Sequence, residues 1–144
     1  MTTIAANRKE MAGDSRCTDG DTSFRTRKLW RFGDVIVGAA GNNAGIAKFR
    51  DWIKEGDPDM EPPKFGKDDE LQALVLTPAG IFSYGKDCMP DEILDDFYAV
   101  GTGAHAALAA MHLGCSPTDA VAVACKVDNG TGEPVQTMRL ADAD

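Results

Sequence analysis

The order of strand-like and helix-like segments limits the folds available to this chain. Two pairs of short apolar runs come first: residues 3–7 and 11–17 flank a charged turn, and residues 24–32 and 35–40 flank Gly33-Asp34. Runs of this length that are rich in β-branched and aromatic residues and separated by tight turns are typical of β-hairpins. The first 40 residues therefore predict two hairpins.

Helices and further strands follow. Apolar residues recur at helical spacing from Ala44 until Gly56, and a helix pair is predicted from Ala104 to Gly114 and from the N-cap Ser116 to the break at Asp128. The Pro-rich, charged residues 57–69 predict an exposed connector. Additional strands are expected over residues 71–77, 81–84, 96–100 and 134–140.

This order predicts an α+β protein in which two antiparallel sheets pack face to face with helices on their outer faces, a four-layer αββα sandwich. A chain of 144 residues has the length of one globular domain. Residues 1–144 are therefore expected to form a single domain.

Charge and cysteine content narrow the function classes. The 23 acidic and 15 basic residues give a net charge of −8 without any Lys/Arg block, which argues against nucleic-acid partners and anionic membrane surfaces. Four widely spaced cysteines form no C-x-x-C pair, as expected of reduced thiols. With no secretory or membrane-spanning pattern, a cytoplasmic location is expected.

Short motifs, in order along nearly the whole chain, resemble the catalytic β subunits of the proteasome and their simpler bacterial relative HslV. They are Thr2-Thr3-Ile4, Ala12-Gly13-Asp14-Ser15-Arg16, Lys28, Gly38-Ala-Ala-Gly41, Tyr98-Ala-Val-Gly-Thr-Gly103 and Asp128-x-x-Thr131-Gly132. The resemblance implies an N-terminal-nucleophile hydrolase fold and a threonine-type peptidase in a self-compartmentalised homo-oligomeric ring. Its substrates would be peptides or unfolded proteins, and an ATP-dependent unfoldase is a candidate partner.

The residue types at the start of the chain suit this chemistry. Once Met1 is removed, Thr2 carries a nucleophilic hydroxyl and an α-amine whose ordinary pKa near ~8 suits proton transfer at neutral pH. One residue then supplies nucleophile and base. An isolated Thr-Thr pair would otherwise be read as the start of an edge strand.

The resemblance assigns further roles at the site. Lys28 would lie beside the Thr2 hydroxyl and favour its deprotonation, with Asp14 holding the ammonium group. The backbone N–H of Gly41 would bind the oxyanion of the intermediate, since glycine permits close approach to the chain.

A second set would position the α-amine of the nucleophile. By resemblance it consists of Thr102, Asp128 and Thr131, and the two threonines stand where the family has serines. The hydroxyl is kept, but the added methyl group restricts its rotamers.

The substrate pocket is expected beside these groups. Thr26 shares a strand face with Lys28, and Arg16 shares one with Asp14, because residues two apart point the same way. The opposite wall, formed by Ala39, Ala40 and Asn43, follows from the resemblance. The expected lining residues are Arg16, Thr18, Thr26, Ala39, Ala40 and Asn43. The alanine wall carries no charge, so cleavage after large apolar residues is expected, with Arg16 as the one residue that would favour an acidic side chain instead.

The sequence alone leaves two other functions open. One is an amidase of the same mechanistic class that acts on small amides, and the other is a catalytically silent structural subunit that retains Met1. Gly101–Ala106 also matches the dinucleotide pattern G-x-G-x-x-A, but too little chain follows for the rest of such a domain. His105 and His112 lack partners at metal-ligand spacing. No cofactor or metal is expected.

Overall fold

The computed structural model describes residues 2–142, and within them eleven strands and three α-helices. The strands are β1 Thr3–Asn7, β2 Glu10–Gly13, β3 Arg16–Asp19, β4 Thr22–Arg25, β5 Leu29–Phe32, β6 Val35–Gly41, β7 Leu71–Thr77, β8 Gly80–Tyr84, β9 Asp91–Ile93, β10 Phe97–Gly101 and β11 Gln136–Arg139. The helices are α1 Asn43–Glu55, α2 Ala104–His112 and α3 Pro117–Val127, and a 3₁₀ turn covers Leu140–Asp142.

The strands form two larger antiparallel sheets and one ribbon. The first sheet has the order β10-β1-β2-β11, and the second has the order β5-β6-β7-β8-β9. Within residues 2–142, β3 and β4 pair only with each other, and they form a largely exposed two-stranded ribbon.

Three apolar clusters define the layers. Ile4 and Met11 of the first sheet pack with Leu74 of the second between the sheets. The opposite face of the first sheet, including Ala5, packs on α2 and α3, and the second sheet packs its outer face on Phe49 of α1. The predicted four-layer αββα sandwich is therefore confirmed.

Close packing between the sheets depends on small residues in their centre. A Cβ atom added to Gly38 of β6 would lie 2.6 Å from Ile4 Cγ2 and 2.7 Å from Met11 Sδ. Because protein interiors are close-packed, a side chain at this position would separate the sheets. β1 and β6 are covered on both faces, by the other sheet on one side and by helices on the other, which explains their apolar runs.

Most segment predictions agree with the structure, and two strands were predicted too long. The predicted strand 11–17 divides after Gly13, and 24–32 divides between Arg25 and Leu29. The chain leaves the first sheet at Asp14 because that side chain binds backbone N–H groups from other segments. The short strand β9 has no counterpart in the predictions, and residues 57–69 lie in the predicted connector without helix or strand.

No α-helix within the described residues has both the length and the apolar character needed to cross a bilayer.

Candidate active site

Strand ends converge on Thr2, which directly precedes β1 and is 4% exposed. Lys28 directly precedes β5, Asp14 follows β2, and Gly41 ends β6. Residues far apart in the sequence thus meet at one edge of the two-sheet core.

Lys28 links the nucleophile candidate to a buried carboxylate. Its Nζ lies 3.0 Å from Thr2 Oγ1 and 2.9 Å from Asp14 Oδ1, and it also donates to the carbonyl of Arg16 at 2.5 Å. Lys28 is 4% exposed and Asp14 is fully buried. The ammonium group therefore faces the Thr2 hydroxyl from a site that largely excludes water, where its electrostatic effect is strengthened.

Asp14 is held on both of its carboxylate oxygens. Oδ1 accepts from Lys28 and from the backbone N–H of Thr3 at 3.1 Å, and Oδ2 accepts from the N–H groups of Arg16 at 3.1 Å and Gly132 at 3.0 Å. Charge-assisted bonds of this kind offset the cost of burying a carboxylate. They also fix the position from which Lys28 is aimed.

Gln136 of β11 supports this arrangement and was missed by the sequence analysis. Its Oε1 accepts from the backbone N–H of Lys28 at 3.1 Å, and its Nε2 donates to Ser15 Oγ at 2.9 Å and to the Thr26 carbonyl at 2.8 Å. The side chain bridges the segments that carry Asp14 and Lys28. No local sequence signal marks it, because its partners are more than 100 residues away.

A second hydrogen-bonded group joins Asp128 to β1. Thr102 Oγ1 and Thr131 Oγ1 donate to the same oxygen, Asp128 Oδ2, at 2.6 and 2.5 Å. Thr131 Oγ1 is also 2.7 Å from Thr3 Oγ1. Since the Thr131 proton is directed to the carboxylate, the Thr3 hydroxyl is the donor in that pair. The structure thus brings together the three predicted residues and adds Thr3.

These hydroxyls also change the titration of Asp128. Hydrogen bonds from Thr102 and Thr131 lower the pKa of its carboxyl below the ordinary value of 3.8, although partial burial acts in the opposite direction. Asp128 therefore stays ionised in mildly acidic solution and keeps both hydroxyls oriented.

Glycines in the Gly101–Ala106 segment allow it to lie against the threonines of β1. A Cβ on Gly101, whose φ is +100°, would lie 1.9 Å from the Thr2 carbonyl oxygen, and one on Gly103 would lie 2.0 Å from Thr3 Oγ1. Only glycine tolerates both the left-handed φ and these contacts. Packing against Thr2 and Thr3 therefore explains the G-x-G spacing without a dinucleotide.

Gly41 lies beside Thr2 on the side opposite to Gly101 and Gly103. Its φ of +137° and the Glu70 carbonyl oxygen, 2.0 Å from a hypothetical Cβ, both require glycine. The next residue, Asn42, caps α1 by accepting from the N–H of Gly45 at 3.0 Å. The turn from β6 into α1 is thereby fixed beside Thr2.

Two cavities meet at Thr2 and Gly41. The first, the Lys28 cavity, has a volume of about 460 Å³, and the second, the Thr102 cavity, about 520 Å³. The Lys28 cavity is lined by Thr2, Arg16, Cys17, Thr18, Thr26, Arg27, Lys28, Trp30, Gly41, Asn42, Asn43, Ile46, Ala47 and Arg50. The Thr102 cavity is lined by Thr2, Ala40, Gly41, Lys67, Asp69, Glu70, Leu71, Gln72, Lys86, Gly101 and Thr102.

The predicted pocket residues divide between these surfaces. Four of them line the Lys28 cavity: Arg16, Thr18, Thr26 and Asn43. Ala40 lines the Thr102 cavity, while Ala39 is fully buried in the core beside Phe49 and lines neither cavity. Ala39 faces α1 because alternate residues of β6 point to opposite sides of its sheet.

The expectation that Arg16 would be the one charged residue beside an uncharged pocket wall was wrong. Arg27 and Arg50 join Arg16 in lining the Lys28 cavity. Sequence reasoning followed strand alternation from Lys28, but the chain between β4 and β5 is not a strand, so adjacent side chains there can reach one cavity. Arg50 arrives from α1, a tertiary contact that alternation does not encode.

Within residues 2–142, no group of three or more His, Cys, Asp or Glu side chains has an arrangement that would hold a metal ion. His112 packs edge-on against Phe97, with ring centroids 4.8 Å apart.

Three solved structures share this architecture. HslV from Trypanosoma brucei superposes with a TM-score of 0.74 at 20% identity, covering 95% of this chain and 98% of that one. BPH from Thiobacillus denitrificans, in complex with epoxomicin, gives 0.70 at 22% identity and covers 96% and 98%. A Gly-1 mutant of Anbu from Hyphomicrobium sp. strain MC1 gives 0.71 at 14% identity and covers 96% and 81%. The chain has the fold of HslV.

This likeness confirms the fold expected from the motifs. No family model and no curated protein matches the sequence. The matches to HslV and BPH span almost the full length of both chains.

The lowered pKa of Asp128 predicts an acid-dependent loss of stability. The Asp128 carboxyl releases its proton more readily in the folded state than in the unfolded chain. Its contribution to the free energy of unfolding is therefore complete above the unfolded pKa and is lost as the pH falls through the lower folded pKa. We expect Asp128→Asn to lower the free energy of unfolding by about 1 kcal/mol at neutral pH. The difference from the native chain should shrink as the pH falls below the ordinary pKa of 3.8 and through the lower folded value.

Urea unfolding at a series of pH values measures this difference. Asp21→Asn, a neutralisation in the exposed turn between β3 and β4, is the matched control and should show little effect at any pH. A destabilisation by Asp128→Asn that does not change with pH would contradict the role of the carboxylate charge.

Proposed function

We propose that this protein is a threonine-type peptidase whose nucleophile is the hydroxyl of Thr2. The observation that carries the proposal is the 3.0 Å contact between Lys28 Nζ and Thr2 Oγ1, with Asp14 bound to the same ammonium group. A cation at this distance stabilises an alkoxide, and the HslV fold is consistent with this use of the N-terminal residue.

The mechanism requires the removal of Met1, which lies outside the described residues. The free α-amine of Thr2 then takes the hydroxyl proton while the oxygen attacks the peptide carbonyl carbon. Lys28 stabilises the developing alkoxide, and the backbone N–H of Gly41 donates to the oxyanion of the tetrahedral intermediate.

Collapse of the intermediate breaks the peptide C–N bond, and the α-ammonium group gives its proton to the departing amine. The acyl group remains on Thr2 as an ester. A water molecule, deprotonated by the same amine, then attacks the ester carbonyl, which releases the acid and restores the hydroxyl. No metal or organic cofactor takes part in these steps.

Asp128, Thr102 and Thr131 act as positioning residues for the α-amine. Thr102 lines one of the cavities that meet at Thr2, and Thr131 contacts Thr3, the next residue of the chain. An ionised Asp128 fixes both hydroxyls, which keeps oriented polar groups beside the start of β1.

Assembly into a homo-oligomeric ring, with peptides or unfolded proteins as substrates and an ATP-dependent unfoldase as partner, belongs to the same proposal. The HslV fold and the near-complete coverage of HslV support it. Native mass spectrometry distinguishes a ring from the small-amide amidase, which needs no enclosure. Retention of Met1 in the working form would instead indicate a silent structural subunit.

Removal of the Thr2 hydroxyl is expected to abolish hydrolysis. Thr2→Ala removes the nucleophile, so turnover of fluorogenic peptides should fall by about 10³-fold or more. Thr2→Ser keeps a hydroxyl and should retain measurable turnover. Intact mass should show that only chains without Met1 are active.

The assay compares the three chains at equal concentration after native purification. Peptide hydrolysis by Thr2→Ala at the native rate would overturn the proposed nucleophile.

Neutralising Lys28 is expected to lower both the stability of the fold and the turnover. Lys28→Met keeps the length of the side chain but leaves Asp14 without its cation, so stability should fall by about 3–5 kcal/mol. Turnover should fall by about 10²-fold or more, because the alkoxide loses its stabilising charge.

The double variant Lys28→Met with Asp14→Asn removes both charges and serves as the control. We expect it to recover part of the stability, measured by urea unfolding, and none of the turnover. Recovery of turnover together with stability would show that Lys28 acts only in the fold.

A further inference from the structure

The Lys28 cavity has a charge opposite to that of the whole protein. The chain carries 23 acidic and 15 basic residues, yet Arg16, Arg27, Lys28 and Arg50 line this cavity and no Asp or Glu does. The Thr102 cavity on the other side of Thr2 is balanced, with two lysines and two acidic residues. The excess of positive charge is thus specific to one side of the nucleophile.

Chemistry indicates which part of a substrate occupies each side, given the proposed function. The departing amine must take a proton from the α-amine of Thr2, and Thr102 belongs to the group proposed to position that amine. Because Thr102 lines only the second cavity, the departing part lies there. The Lys28 cavity then holds the acyl part, including the side chain that precedes the scissile bond.

The basic side chains of this cavity differ in the partners that they already bind within the protein. Lys28 binds Asp14 and Thr2, and Arg16 Nη1 donates to the Asn129 carbonyl at 2.9 Å. Arg50 lies over the Trp30 ring, with Cζ 5.5 Å from the centroid, and its Nε donates to Asp51 at 3.1 Å.

Arg27 differs from these three residues. Among residues 2–142, its side chain has no hydrogen-bond, ion-pair or aromatic partner, and it is exposed at the cavity. Its guanidinium therefore keeps its donors available for a carboxylate, which it can bind in a bidentate manner.

We propose that the Lys28 cavity selects an acidic side chain, Glu or Asp, at the residue that precedes the scissile bond, and that Arg27 is its main determinant. The proposal rests on the peptidase function proposed above. Ile46 and Ala47 of α1 provide apolar contacts for the methylene groups of the substrate side chain, while Arg27 receives its carboxylate. A lysine or arginine at the same position would meet only like charges.

Binding to Thr2→Ala tests the cavity independently of turnover. Fluorescence anisotropy measures the affinity of labelled peptides that differ only in Glu, Gln, Leu or Lys before the scissile bond. The Glu peptide should bind about 10-fold or more tightly than the Gln peptide, as expected of a hydrogen-bonded charge. The Lys peptide should bind most weakly. Equal affinity for Glu and Gln, or tighter binding of Leu than of Glu, would overturn the proposal.

Two matched neutralisations identify the determinant. Arg27→Gln in the Thr2→Ala background should remove most of the difference between the Glu and Gln peptides. Arg25→Gln neutralises an exposed arginine that does not line the Lys28 cavity, so it should leave the difference unchanged. An equal loss in both variants would indicate general attraction and overturn the role of Arg27.

The same peptides are then offered to the chain that has lost Met1 but keeps Thr2. Hydrolysis with kcat/KM highest for Glu supports the cavity assignment and the proposed function together. Selective binding of Glu without hydrolysis of any peptide would overturn the peptidase function and leave the cavity's preference established. Hydrolysis without preference for Glu would overturn the cavity assignment alone.

Discussion

The buried carboxylate of Asp14 determines the geometry of the active-site edge. It accepts from Lys28 and from backbone N–H groups of Thr3, Arg16 and Gly132, which come from four separate segments of the chain. A buried ion pair is often no more stabilising than apolar residues of the same volume, because desolvation offsets the attraction. A gain in folding stability is therefore a weak explanation for the buried Asp14–Lys28 pair. The alignment of the Lys28 ammonium group with the Thr2 hydroxyl is a chemical explanation.

The sandwich supplies the rigid frame for this edge. β1 is central to the first sheet and packs on both sides, so the residue that precedes it has a fixed position. Gly101 and Gly103 let the β10–α2 connection lie directly against Thr2 and Thr3, and Gly41 lets the β6–α1 turn close the other side. The nucleophile candidate is thus held between two turns while both cavities beside it remain open.

Sequence patterns predicted much of the fold because most of its elements carry a local signal. The Gly33-Asp34 turn and the Ser116 cap with Pro117 mark a hairpin and a helix start that the structure confirms. The contacts made by Asp14 cannot be seen in such patterns, because they interrupt a strand in favour of partners up to 118 residues away. The arginines of the Lys28 cavity were missed for a related reason: Arg27 lies outside regular strands, and Arg50 reaches the site from a helix.

The central claim is that Lys28 activates the Thr2 hydroxyl, and mapping the site of a covalent adduct tests it most directly. A hydroxyl that attacks the carbonyl of a peptidyl β-lactone opens the ring and keeps the whole reagent as an ester, which peptide mapping by mass spectrometry locates. The account predicts modification at Thr2 in chains without Met1, with a rate at least about 10²-fold lower in the double variant Lys28→Met with Asp14→Asn. Modification at another residue, or an unchanged rate at Thr2 in that variant, would contradict it.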